Sequence, residues 1–116
     1  MKKPSKNERT VGYGSHLVNV KKVTPKVLIK EALKKTNGQY LSFVMGEDFE
    51  LESASWFGLQ IVELFDVKHL VLGHFGGGVL ETVCIEEDDT EQIIEEMKEA
   101  VALLQKDEGN AIWMEV

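Results

Sequence analysis

The chain has 116 residues, 43% apolar and 28% charged, with 13 Lys and Arg against 20 Asp and Glu and a formal net charge of -7. That balance is too apolar for disorder and long enough for one domain with its own core, without a disulfide or metal staple. No apolar run approaches the ~18 residues that cross a membrane as a helix. A secretory signal is not expected either, because polar Pro4 to Arg9 follows Met1-Lys2-Lys3 where an apolar stretch is required. Cys84 is the only cysteine, so no disulfide framework forms within the chain, and a cytoplasmic location is expected.

The first fifteen residues are polar, with Pro4, Gly12 and Gly14 among them, and read as a flexible basic arm ahead of a single domain spanning 16–116. Leu17 to Val23 is a β-branched run of strand type. Thr24-Pro25 then opens a helix, with threonine as the cap and proline at the first position, where its missing N–H costs nothing. Leu28, Ile29, Ala32 and Leu33 form the apolar stripe of that helix, Lys26, Lys30 and Lys34 its wet face, and Gly38 its stop.

Tyr40 to Met45 has strand length and is closed by Gly46. From Asp48 to Phe65, Leu51, Ala54, Phe57, Ile61, Leu64 and Phe65 recur at spacings of three and four, which predicts a helix. Ser53, Ser55 and Gly58 are poor helix-interior residues and leave two short strands as the competing assignment. Val67 to Leu72 reads as a covered strand and Gly73-His74-Phe75-Gly76-Gly77-Gly78 as a turn. Val79 to Glu86 returns, making a hairpin. Asp89 caps the last helix, with Gln92 at capping-box spacing. Ile93, Met97, Ala100, Val101 and Leu104 face inward, Glu91, Glu95, Glu96 and Glu99 face water, and Gly109 ends it. Ala111 to Val116 finishes the chain as a strand.

From residue 40 the order is strand, helix, strand, strand, helix, strand. This predicts an α+β fold with the ferredoxin-like split βαβ arrangement, preceded by an extra strand and helix. In such a sheet the second strand lies on an edge, yet Leu70-Val71-Leu72 makes it the most apolar. An apolar edge invites pairing with another chain, so a homo-oligomer is expected, with Leu70, Leu72 and Trp113 at its interface. The extra N-terminal strand is the other possible cover.

Charge is segregated along the chain. Residues 1–35 hold ten lysines and arginines against Glu8 and Glu31, whereas residues 36–116 hold Lys68, Lys98 and Lys106 against eighteen carboxylates. A phosphate-binding arm is one reading, but lysine predominates over arginine and no aromatic interleaves Lys21 to Lys35, so nucleic acid is not an expected partner. The acidic helix alternatively suits an inhibitor or immunity-type protein that masks a basic surface of a target protein.

The glycine cluster is the most unusual local feature. Successive glycines can turn N–H groups toward one point and hold a small anion or nucleotide. His74, Gly76, Gly77 and Gly78 are then the ligand-binding residues and Lys68 the counter-charge, although a hairpin demands glycine for turn geometry alone. The P-loop and dinucleotide fingerprints are not met, because a strand rather than a helix follows. Ser15 and His16 are sequence neighbours and do not form a nucleophile–base pair. His16, His69 and His74 lack metal-ligand spacing, and the acids from Glu86 to Asp89 read as a helix start. No catalytic residue, metal or cofactor is expected. The leading reading is a non-catalytic, homo-oligomeric binding or regulatory protein.

Overall fold

The computed structural model describes residues 7–13, 15–36, 38–47, 50–86 and 89–116. Predictions for 1–6, Gly14, Asp48, Glu87 and Asp88 lie outside the described residues. Among the described residues, seven strands and two helices follow in the order β1 (Glu8–Tyr13), β2 (His16–Val23), α1 (Pro25–Leu33), β3 (Tyr40–Glu47), β4 (Glu50–Leu64), β5 (Val67–His74), β6 (Val79–Cys84), α2 (Thr90–Glu108) and β7 (Ala111–Glu115). One sheet, ordered β1-β2-β7-β3-β4-β5-β6, contains all seven strands, and every neighbouring pair is antiparallel.

The helices form for the reasons their sequences supply. Thr24 Oγ1 accepts from Val27 N at 3.3 Å with Pro25 in the first turn, and Asp89 accepts from Gln92 N at 2.8 Å. Gly109 caps α2 with a φ of 135°, against the backbone of Gly46 so closely that a Cβ would overlap it. Both helices lie on one face of the sheet. Leu28, Ile29, Met97 and Val101 from the helices pack there on Phe43, Phe57, Leu59, Leu70, Leu72 and Ile112 from the strands. Phe43 and Phe57 stack at its centre, 5.7 Å between ring centroids.

Three expectations are corrected. Residues 50–64 are the single long strand β4, not a helix. Phe57, Leu59 and Ile61 point to the helices, while Ala54 and Trp56 belong to a cluster on the other face. A strand apolar on both faces contains every spacing, threes and fours included, and β-branched Ile61 and Val62 fit it better than a helix. The ferredoxin-like order therefore does not arise. β3 to β6 run as a meander, and α2 carries the chain back across the sheet to β7. Secondly, β5 is an interior strand between β4 and β6, so the edges are β1 and β6. Thirdly, the stretch expected as a flexible arm contributes β1, which pairs with β2 from Glu8↔Lys21 to Tyr13↔His16.

The face away from the helices has two halves. The sheet curls until β1 approaches β4, which encloses Val11, Val20, Val44, Ala111 and Trp113. Arg9 and Lys22 sit over the Trp113 ring, 5.5 Å and 6.0 Å from its centroid, and cover it with cation–π contacts. Among the described residues, no helix and no strand lies above the other half, on β4, β5 and β6.

Candidate functional site

A cleft of about 290 Å³ opens on that uncovered half, beside the glycine hairpin. Strand register builds its floor. Gly58 of β4 lies directly opposite Gly73 of β5, so two side-chain-free positions adjoin. Tyr40 crosses the floor from β3: a Cβ on Gly58 would overlap its ring. A glycine inside a strand commonly marks this sort of close approach. Tyr40 meets Phe75 edge to face, with centroids 6.1 Å apart and planes at 72°. Gln60, Val71 and Val79 complete the lining.

The hairpin itself is a tight turn. Gly77 N donates to His74 O at 3.1 Å, and Gly76 has the positive φ of 67° that the third position of a type II turn demands. His74 N donates to Gly78 O and Phe75 N to Trp56 O, at 3.1 Å and 3.0 Å. Three amides of the predicted nest are thus satisfied by carbonyl oxygens.

Of the expected ligand residues, His74, Gly76, Gly77 and Gly78 border the cleft. The His74 imidazole packs against Phe57, 5.0 Å between rings, on the helix side of the sheet. Lys68 is not brought to the cleft. It lies at the opposite end of β5, paired with Glu63, because β5 runs straight between the two turns. The expected interface residues are not at a surface: Leu70 and Leu72 are 0% exposed and Trp113 1%. The meander places β5 under α2, and the curl places β1 over β7.

Compared with protein-family models, with curated proteins and with solved structures, the chain matches none. The site's geometry therefore carries the functional argument.

Cys84 and His69, also considered from the sequence, do not line the cleft. Cys84 is half-buried and lies opposite His69 in the β5–β6 register. His69 Nδ1 is 3.0 Å from Val67 O, which ties the ring to its own strand, and no hydrogen bond joins it to Cys84. Among the described residues no three His, Cys, Asp or Glu side chains converge. What the cleft does offer is a flat floor, two aromatic walls, one amide side chain and no fixed charge in its lining. Sequence reasoning missed Tyr40, Gly58, Gln60 and Val79. The signal for Gly58 is a glycine within an apolar run, which in a helix is only a weakness and in a strand marks a close approach.

Proposed function

We propose that the protein is a non-catalytic binding module that works as a homo-oligomer, and that the cleft holds a planar, uncharged ring such as a nucleobase. The Gly58–Gly73 pair carries this reading. The Tyr40 ring lies against the Gly58 backbone, and beside it the bare peptide at Gly73 leaves room for a flat ring flanked by Tyr40 and Phe75. Gln60 supplies one donor and one acceptor for the ring's edge. A cleft of about 290 Å³ is at the small end of ligand sites and suits one ring system. The phosphate of a nucleotide would stay outside, at the Gly76–Gly78 rim.

Thermal unfolding with nucleosides, nucleotides and inorganic phosphate tests the reading. A ligand at a hundred times its Kd stabilises by about 2.7 kcal/mol, a rise of roughly 10 °C for this length. Nucleosides and nucleotides should give it and phosphate should not. Gly73→Ala puts a Cβ on the cleft floor, 3.1 Å from Gly78 O, and should remove the rise while leaving the circular dichroism spectrum unchanged. If neither nucleosides nor nucleotides stabilise the native protein at millimolar concentration, the reading fails.

A second reading rests on α2. Glu91, Glu95, Glu96 and Glu99 are all exposed on it; Glu91, Glu95 and Glu99 follow one another at about one turn, and Glu96 lies beside Glu95. Such a ridge suits an inhibitor that covers a basic protein surface. Capture of a basic partner that is released by moderate salt, and lost when Glu95 and Glu99 become Lys, supports this alternative.

A further inference from the structure

The uncovered half of the sheet is peculiar in composition. Alternation and register put Gly58, Gln60, Val62 and Leu64 of β4 on it, with Val67, His69, Val71 and Gly73 of β5 and Val79, Thr82 and Cys84 of β6. None of these eleven is Asp, Glu, Lys or Arg, in a chain that is 28% charged. A sheet face meant for water carries charged or strongly polar residues at these alternating positions. Exposed apolar residues gather at its two ends: Leu64 and Phe65 at one, Phe75 and Val79 at the other.

The Leu64–Val67 hairpin end is also strained. Phe65 and Asp66 form a two-residue connection with φ of 52° and 66°, the type I′ geometry that favours Asn-Gly. Phe65 is 99% exposed, so nothing within its own chain rewards an aromatic residue in that conformation. Strain retained at an exposed tip points to use of the tip.

We propose that this face is a dimerisation surface, on which two copies stack their β4–β5–β6 faces about a two-fold axis lying between the sheets and crossing the middle of β5. The Leu64–Phe65 tip and the cleft lie at opposite ends of β5, about 25 Å apart at strand rise. One two-fold therefore brings each tip over the other copy's cleft, and both contacts form together in a closed pair. A second copy is the occupant the layout of the face favours. An exposed aromatic tip at one end and an aromatic-walled cleft at the other complement each other under a two-fold. No like charges are brought together on the uncharged face itself. Three strands wide and eight residues long, the face measures roughly 400 Å² in projection. That lies below the roughly 800 Å² per partner of a standard interface, so the dimer is concentration-dependent. The inference deepens the proposed function, since the partner's Phe65 becomes the lid of the cleft.

Sedimentation equilibrium of the full chain, from about 1 µM to about 500 µM, should show the mass rising from 13.1 kDa toward twice that value. Thr82→Lys places a charge on the face and should hold the protein monomeric throughout. Phe65→Asn with Asp66→Gly keeps the turn and should raise the dimer Kd at least tenfold, while Glu99→Lys on α2 should dimerise no less readily than native protein. A native mass that stays monomeric at the highest concentration overturns the proposal, as does assembly of both face variants like the native protein. The mass measurement needs no ligand. Failure of the dimer with nucleoside binding intact is therefore distinct from failure of the cleft.

Discussion

The double substitution Phe65→Asn, Asp66→Gly should make the single chain more stable. Both residues have positive φ in the β4–β5 turn, a region that costs an ordinary L-residue roughly 1–2 kcal/mol. Asparagine and glycine enter it readily. Asp66 already belongs to the more tolerant types, so most of the relief comes from Phe65. Glycine at 66 returns roughly 0.5–1 kcal/mol of it as unfolded-chain entropy. Burial is not forfeited, because Phe65 is 99% exposed. The net gain is about 0.5–1 kcal/mol. With an unfolding entropy near 2.1 cal/mol/K per residue, this raises Tm by roughly 2–4 °C. Urea unfolding at low micromolar protein, where association is negligible, reads the gain as a higher midpoint at unchanged slope. A variant equal to or less stable than native would refute the reasoning, since it would mean that the turn is unstrained or that Phe65 contributes a contact of its own.

Three further substitutions probe the framework. Gly109→Ala forces a Cβ into the Gly46 backbone at a φ of 135° and should cost about 2–5 kcal/mol, from backbone strain and overlap together, seen as a lower urea midpoint. Asp89→Ala removes the acceptor for Gln92 N and should cost about 1 kcal/mol, measured by far-UV circular dichroism on melting. Leu72→Ala should cost about 2–5 kcal/mol as a core cavity. Because Leu72 is fully buried within one chain, that loss should be the same at low and high protein concentration, unlike a loss at an interface.

What was legible in the sequence was what local chemistry decides. Thr24-Pro25 and Asp89 announce helix starts whose caps form as read, and the stripes of α1 and α2 point inward because their periods match one turn. The glycine run likewise announces the β5–β6 hairpin. β4 was not legible, since its two faces are buried by different partners: Phe57, Leu59 and Ile61 by the helices, Ala54 and Trp56 by the curl of the sheet. That pattern is set by tertiary contacts and has no period of its own. β1 was hidden for the opposite reason. Among the described side chains of Glu8 to Gly12 only Val11 is a buried apolar residue, and what fixes the strand is its hydrogen bonding to β2. The glycine half of the cleft was visible, but Tyr40 and Gly58 reach it through a register no linear reading supplies.

The tip and the face are linked by opposite signs on one pair of residues. Phe65→Asn with Asp66→Gly is expected to stabilise the monomer and to weaken the dimer. A turn that was merely poorly chosen would show the first effect alone, because its strain would be unconnected to association. If the aromatic tip is retained for the second copy, the strain is a cost borne by the free chain and offset when Phe65 is covered. Urea midpoints of the native protein should then rise with protein concentration, through mass action on the folded dimer, while those of the double variant stay flat. The two curves converge as concentration increases, so the difference between native and variant stability should shrink from low to high protein. A difference that holds constant over that range would leave the strain without a role in assembly.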